Sequence, residues 1–180
     1  TYERGQAHPF LWGIPGIWCS NNLTTAMLTQ CILYRTLSGD DSFVEMEGSL
    51  RDWLFGCNPW GTSMIVELPK GGTYPRATHS NWVFQNLGHP VGGLVDGPVY
   101  STIFSSLRGV NITDDMPHVT ANAYLRFQPG DVVYHDNTHD YSTNEPTMDG
   151  TASLTFPLSY YQKEGRAQAL SLIHISEPTR

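Results

Sequence analysis

No apolar run of roughly 18 residues, the length of a membrane-spanning helix, occurs in this 180-residue sequence. Basic residues are scarce. Ten Lys and Arg stand singly against 17 Asp and Glu, for a formal net charge of −7. Nucleic acid is thereby excluded as a partner, because phosphate binding needs basic clusters. Cysteine is limited to Cys19, Cys31 and Cys57, with no CxxC pair. An odd number without that spacing gives no disulfide framework, and the three read as buried free thiols. There is no phosphate-cradling glycine loop and no nucleophile elbow. An initiator Met and a signal peptide are also lacking, and the first ten residues, T-Y-E-R-G-Q-A-H-P-F, read like the interior of a longer protein. The residues themselves report no compartment.

Aromatic residues are in surplus: five Trp, nine Tyr and seven Phe. Such a surplus lines either a core or a sugar-binding cleft, and composition alone does not choose. The length suffices for one domain with a real core. Residues 1–19 mix Pro and Gly with apolar residues and read as an ordered, buried loop. Ser20, Asn21 and Asn22 offer N-caps for a helix over Leu23–Leu37, apolar at 23, 26, 27, 28, 31, 32, 33, 34 and 37. That spacing predicts a helix buried over a wide face, ended by Ser38-Gly39. Asp40-Asp41-Ser42 precedes a second helix, Phe43–Phe55, with Ser42 and Glu45 spaced as a capping box and Gly56 as its stop. The short connection makes the two helices antiparallel neighbours. From Cys57 to Pro98 the chain turns Gly- and Pro-rich, broken by a possible strand M-I-V-E-L, and so long a loop is commonly functional. A short helix over Val99–Leu107 follows, then turn-rich residues 111–131, then a helix to about Lys163.

The most informative stretch is Tyr134–Ala152, Y-H-D-N-T-H-D-Y-S-T-N-E-P-T-M-D-G-T-A. Asp136, Asp140, Glu145 and Asp149 crowd into it with His135, His139, Tyr134 and Tyr141. It is too polar and too rich in turn formers to be a core segment. Pro146 biases Glu145 away from helical dihedrals and suits the first position of the next helix. Glu145 is then a carboxyl at a helix mouth, close to the positive helix end. For a lone Glu the ordinary role there is to stabilise the helix dipole.

The order aromatic (Tyr134), Asp136, aromatic (Tyr141), Glu145, Thr147 and Ala152 resembles the second signature of the family 9 glycoside hydrolases, the cellulase family of endo-β-1,4-glucanases and relatives. Thr151 departs from it, standing where the family usually has Asn. Gly56-Cys57-Asn58-Pro59-Trp60-Gly61-Thr62-Ser63 resembles the family's G-x-N-P-x-x-x-S loop. Pro75 and His79 match the lead-in and the His of its substrate-binding His-x-Arg, with Asn81 in the Arg position. Leu94-Val95-Asp96-Gly97-Pro98 resembles L-V-G-G-P, with Asp96 replacing a Gly. The matches span residues 56–152.

The resemblance implies an all-α fold, a partial (α/α)6 toroid with long irregular loops, of which residues 1–168 supply the C-terminal part of the catalytic domain. It implies a β-glucan polysaccharide or oligosaccharide substrate, hydrolysis with inversion, no cofactor, no metal, and a secreted or periplasmic location. Glu145 takes the role of catalytic acid, with Asp136 beside it. His79, Asp140, Tyr141 and Trp60 are the expected substrate-binding residues, with Tyr74 and Trp82 as further ring contacts. Inversion needs one protonated carboxyl and one carboxylate roughly 6.5–9.5 Å apart. Near neutral pH the acid keeps its proton only through desolvation or a neighbouring like charge. Asp136 and Asp140 are candidates for that charge, and Tyr134 and Tyr141 for apolar walls. Loop hydrogen bonding for the two Asp residues, a structural role for His79 and core packing for the Trp residues are the plain alternatives.

No Asp-x-Gly-Asp-like motif for the base occurs, so the rest of the catalytic domain upstream is an expected partner, and the chain alone is expected to be inactive. The rival enzymatic reading is a metal-dependent hydrolase using His135 and His139, spaced H-D-N-T-H-D. A third is a carbohydrate-binding fragment without turnover. Residues 169–180, A-L-S-L-I-H-I-S-E-P-T-R, form an atypical tail that resembles a translated sequencing adapter, with a short terminal strand as the alternative.

Overall fold

A computed structural model describes residues 1–107 and 131–175. Most of its regular structure is helical: α1 (Tyr2–Gln6), α2 (Ser20–Ser38), α3 (Val44–Leu54), α4 (Asn81–Phe84), α5 (Ser101–Ser106) and α6 (Met148–Ile175). Two short strands, β1 (Val99–Tyr100) and β2 (Val132–Val133), pair antiparallel with Val99 opposite Val133. The turn-rich segment expected at 111–131 lies outside the described residues except at its last position.

Helices α2, α3 and α6 pack together, α2 touching both of the others. Gly39 ends α2 in the left-handed conformation, φ 72°, with its N–H on the Arg35 carbonyl, as its position predicted. The loop to α3 is too short to let the two helices separate. Ser42 does not form the expected capping box. Its N–H and hydroxyl both donate to Asp40 Oδ1, and α3 starts at Val44 with no side-chain cap. Asp40 is a nearer acceptor in an Asx-type turn, which draws Ser42 away from the helix end. Ser20 and Asn21 likewise do not cap α2. They lie inside it, and their side chains reach backbone carbonyls more than seventy residues away, Pro98 and Val95.

The core joins Leu28, Ile32, Met46, Leu50, Trp53, Leu54 and Leu154 of the helices to loop residues Trp12, Ile14, Trp60, Met64, Ile65, Leu94 and Tyr134. Trp53 is its centre, stacked on Trp12 with ring centroids 4.2 Å apart and edge-on to Trp60 at 5.9 Å. The face of α2 is less buried than its apolar spacing suggested: Leu33, Tyr34 and Leu37 are exposed, as is Val44 of α3. Arg35 bolts the three helices together, with Nη2 2.8 Å from buried Glu47 of α3 and 3.3 Å from Glu164 of α6. Tyr161 of α6 donates to the same Glu47.

Three element expectations are corrected. M-I-V-E-L forms a single bridge, Ile65 to Leu94, because Glu67 takes a positive φ of 59° that ends any extended run. The segment expected as one helix over Val99–Leu107 begins as β1, since Tyr100 finds a strand partner in Val132. Helix α6 runs past Lys163 to Ile175, where Ala167, Gln168, Ala169 and Leu170 are all good helix formers. A terminal strand over 169–175 is thereby excluded. Pro157 within α6 removes one ladder donor, yet the helix continues because Leu154, Leu158 and Tyr161 pack on the core on either side of it.

Candidate active site

Glu145 is exposed and lies between the 141–144 turn and α6. Pro146 lies two residues ahead of α6, bridged to Val95, and is not its first residue as expected. The backbone around Glu145 is fixed from two sides. On one side the strip 94–97 runs alongside: Asp96 N–H donates to the Glu145 carbonyl at 2.9 Å, Gly97 N–H to Thr143, and Thr147 N–H to Leu94. That strip is itself held by the start of α2, through the Asn21 amide and side chain and the Ser20 hydroxyl. Gly97 is required there. Its φ is +90°, and an added Cβ would lie 2.5 Å from Asn21 Cγ.

On the other side lies the loop 75–79. His79 N–H donates to the Asn144 carbonyl at 2.9 Å. Asn144 Nδ2 donates to the Ala77 carbonyl at 2.7 Å, while its Oδ1 accepts from the Tyr134 hydroxyl. Asp136 completes this strap. Its carboxylate accepts the backbone N–H groups of Arg76 and Ala77, each at 2.8 Å, and Asn144 Nδ2 at 3.1 Å. Burial pushes the Asp136 pKa up and these three donors oppose it, leaving it raised on balance. Asp136 and His79 thus stand in one unit with Glu145.

Asp140 is fully buried. Its Oδ1 accepts Ser142 N–H, the Ser142 hydroxyl and Thr143 N–H; its Oδ2 accepts the Thr143 hydroxyl at 2.8 Å and lies 3.3 Å from His135 Nδ1. Burial tends to raise its pKa, but His135, Ser142 and Thr143 together outweigh burial and hold it below the usual carboxylate value. Both oxygens are engaged in shaping the turn before Glu145. That is the loop hydrogen bonding named as the plain alternative for this residue. Trp60, 4% exposed and packed on Trp53 and Tyr134, has no face for a ligand; it belongs to the core. Tyr134 is equally inside the core.

The remaining expected residues reach the surface. Tyr141 is half-buried and stacks on exposed Trp18 with centroids 6.0 Å apart and planes at 16°. His79 lies 6.1 Å from Tyr141 and edge-on to Phe84 at 5.3 Å. His79 Nδ1 is 2.7 Å from the Thr138 carbonyl, so Nδ1 carries the proton and Nε2 of the neutral ring is an acceptor. Tyr74 carries the Arg76 guanidinium over its ring. Trp82, 55% exposed, borders an open groove of about 600 Å³ with Val91, Pro146 and Met148. The His135 and His139 rings go to different neighbours, His135 to Asp140 and Phe104 and His139 to Phe84. Among the described residues no group of three or more His, Cys, Asp or Glu is arranged to hold a metal ion.

Three neighbours of the site carry little signal in the residues themselves. Trp18 had no signal beyond its ring. Asn144 was hidden as one more turn former. Asp96 showed only as a departure from L-V-G-G-P. Its side chain is 3% exposed, and burial, with Glu145, Asp149 and Asp140 nearby and a Cys19 hydrogen bond opposing, pushes it up to about 7.

The model of the family described as glycosyl hydrolase family 9 matches residues 6–158. Among curated proteins none matches the chain. Similar solved structures include a metagenome-derived glycoside hydrolase family 9 endoglucanase, 23% identical with a TM-score of 0.65 over 89% of this chain and 26% of that one. A second is AaCel9A in complex with cellobiose-like isofagomine, 21% identical with a TM-score of 0.62 over 90% of this chain and 29% of that one. A third is a single mutant of a thermostable endoglucanase from Alicyclobacillus acidocaldarius, 21% identical with a TM-score of 0.60, over 88% and 28%. The chain therefore spans little more than a quarter of the length of the solved structures it matches.

Proposed function

Because the chain belongs to glycosyl hydrolase family 9, we propose that it supplies the general-acid side of an enzyme that hydrolyses β-1,4-glucosidic bonds with inversion, in cellulose or a related β-glucan. The observation that carries this reading is the setting of Glu145. It is an exposed carboxyl whose backbone is clamped by the 94–97 strip and by the His79 loop, so it is fixed in place yet open to a ligand. A general acid needs that combination, since positioning makes its proton effective. Glu145 gives its proton to the glycosidic oxygen, and a carboxylate base on the opposite face of the sugar activates water. His79 Nε2 accepts a sugar hydroxyl, and Tyr141 with Trp18 offers a ring surface. Asp136 acts through its strap and touches no sugar.

Asp136 and Asp140 are both committed to loop bonds, so neither is the base. The base belongs to the remainder of an (α/α)6 toroid, of which these helices form a part. The 180 residues alone are then expected not to cleave glucan. The test uses a complete catalytic domain carrying this chain. NMR of the first product from a soluble cello-oligosaccharide should show the α-anomer, and Glu145→Gln should lose most turnover. An initial β-anomer, or wild-type turnover in the variant, would overturn the reading. Release of new reducing ends by the 180 residues alone would overturn the assignment of the base.

A further inference from the structure

The loop that carries His79 also carries Arg76, which this mechanism does not use. Across residues 71–107 and 131–162, the stretches that build the candidate site, Arg76 is the only Lys or Arg, against Asp96, Asp131, Asp136, Asp140, Glu145 and Asp149. Its backbone is fixed. Its N–H donates to Asp136 Oδ2 at 2.8 Å, and the same carboxylate accepts Nδ2 of Asn144, the residue before Glu145, at 3.1 Å. His79, three residues on, donates its N–H to the Asn144 carbonyl at 2.9 Å. The Arg76 side chain takes another course. Despite the acids around it, its guanidinium forms no ion pair among the described residues. It lies over the Tyr74 ring, 5.0 Å from the centroid, and the residue is exposed. Arg35 and Arg51, by contrast, each bond a carboxylate. A guanidinium laid on a ring engages its face and leaves the N–H donors at its edge open to a ligand.

We propose that Arg76 is a substrate-binding residue of this site: its guanidinium fork donates to two neighbouring hydroxyls of a glucosyl unit that lies against His79. This rests on the reading of the site as one for β-glucan, and it adds the contact that orients the sugar. Adjacent hydroxyl oxygens of a pyranose suit the paired donors of the fork, and bonds from a charged donor are stronger than neutral ones. The strap supplies the register. One carboxylate, that of Asp136, holds both the Arg76 backbone and the Asn144 side chain, so the guanidinium starts from a point fixed relative to Glu145. Asn81 stands in the Arg position of the His-x-Arg resemblance, and its helix α4 has no basic residue in its last turn. The cation therefore reaches the site from the residues before His79 and not from those after it. Tyr74 acts through Arg76: the guanidinium covers a face of its ring, which serves as a shelf and not as a sugar platform.

Calorimetric titration of a soluble cello-oligosaccharide into the complete catalytic domain tests this, with Glu145→Gln in every protein so that the sugar is not consumed. Arg76→Ala should weaken binding about tenfold. That variant keeps the backbone N–H that Asp136 holds, so amide exchange at Ala77 and His79 should not change. Arg76→Lys should stay weakened, because an ammonium has no fork. Tyr74→Ala should weaken binding too, and Tyr74→Ala with Arg76→Ala should bind no worse than Arg76→Ala alone. Unchanged binding in Arg76→Ala would overturn the proposal. Faster exchange at Ala77 and His79 in that variant would overturn it as well, since the role would then be structural. Full recovery in Arg76→Lys would overturn the fork, and additive losses in the double variant would overturn the shelf. Failure of the acid assignment is seen separately: new reducing ends during the titration would count against Glu145 and leave the Arg76 comparison standing. If the parent binds no glucan, the proposal and the reading beneath it fall together.

Discussion

Replacing Asp136 by Ala tests the strap that holds the His79 loop against the Glu145 turn. The carboxylate accepts two backbone N–H groups at 2.8 Å, from Arg76 and Ala77. Ala77 is 4% exposed and Arg76 is exposed. In the variant the Arg76 N–H turns to water, at a cost of about 0.5–1.5 kcal/mol, while the Ala77 N–H stays buried without a partner, at about 1–3 kcal/mol. Asn144 Nδ2 retains its 2.7 Å bond to the Ala77 carbonyl. Removing the carboxylate also removes the cost of burying it, which offsets part of the loss. A net destabilisation of about 2 kcal/mol follows, concentrated in residues 75–79. Chemical denaturation reads the total, and amide hydrogen exchange at Ala77 and His79 reads where it falls. Glucan hydrolysis by the complete domain should drop as well, because His79 loses its register with Glu145. Unchanged exchange at Ala77 and His79, with stability within about 0.5 kcal/mol of wild type, would refute the strap.

Three other outcomes follow from the same geometry. Asp140 is held below its usual pKa, so its contribution is present above about pH 4 and is lost as pH falls through the lowered value; the Ser142 and Thr143 amides should lose exchange protection in acid before the core of α2 does. Gly97→Ala should destabilise by at least about 2 kcal/mol, since φ is +90° and the new Cβ meets Asn21; a smaller change in thermal denaturation would mean that the 94–97 strip adjusts freely. Glu47→Ala should cost about 2–3 kcal/mol in chemical denaturation, below the value for a fully buried pair because Arg35 is partly exposed and retains Glu164; a loss of less than about 1 kcal/mol would deny the three-helix bolt.

Features encoded locally were legible in the residues. The stop at Gly39, the neighbouring α2 and α3, and the polar turn ending at Glu145 each depend on residues a few positions apart. What was hidden depends on distant partners. Ser20 and Asn21 have the chemistry of caps, yet carbonyls of Val95 and Pro98 claim their side chains. Asp140 and Glu145 look alike in sequence, and only the fold surrounds one with donors and leaves the other open. Trp60 and Trp18 differ in the same way: one ring fills the core beside Trp53, the other lies on Tyr141 at the surface. Glu47 reads as a solvent-facing helix residue until Arg35 and Tyr161 meet it inside.

The role of Glu145 is tested most directly by the dependence of rate on the leaving group. In a complete catalytic domain, wild type and Glu145→Gln are compared on a cello-oligosaccharide and on an aryl cello-oligosaccharide whose phenol leaves without protonation. A general acid contributes about 10²–10⁴-fold to the first reaction and little to the second. The variant should therefore lose at least about 100-fold in kcat/KM on the cello-oligosaccharide and retain most of its rate on the activated aryl substrate. Equal losses on both substrates, or no loss on either, would contradict proton donation by Glu145.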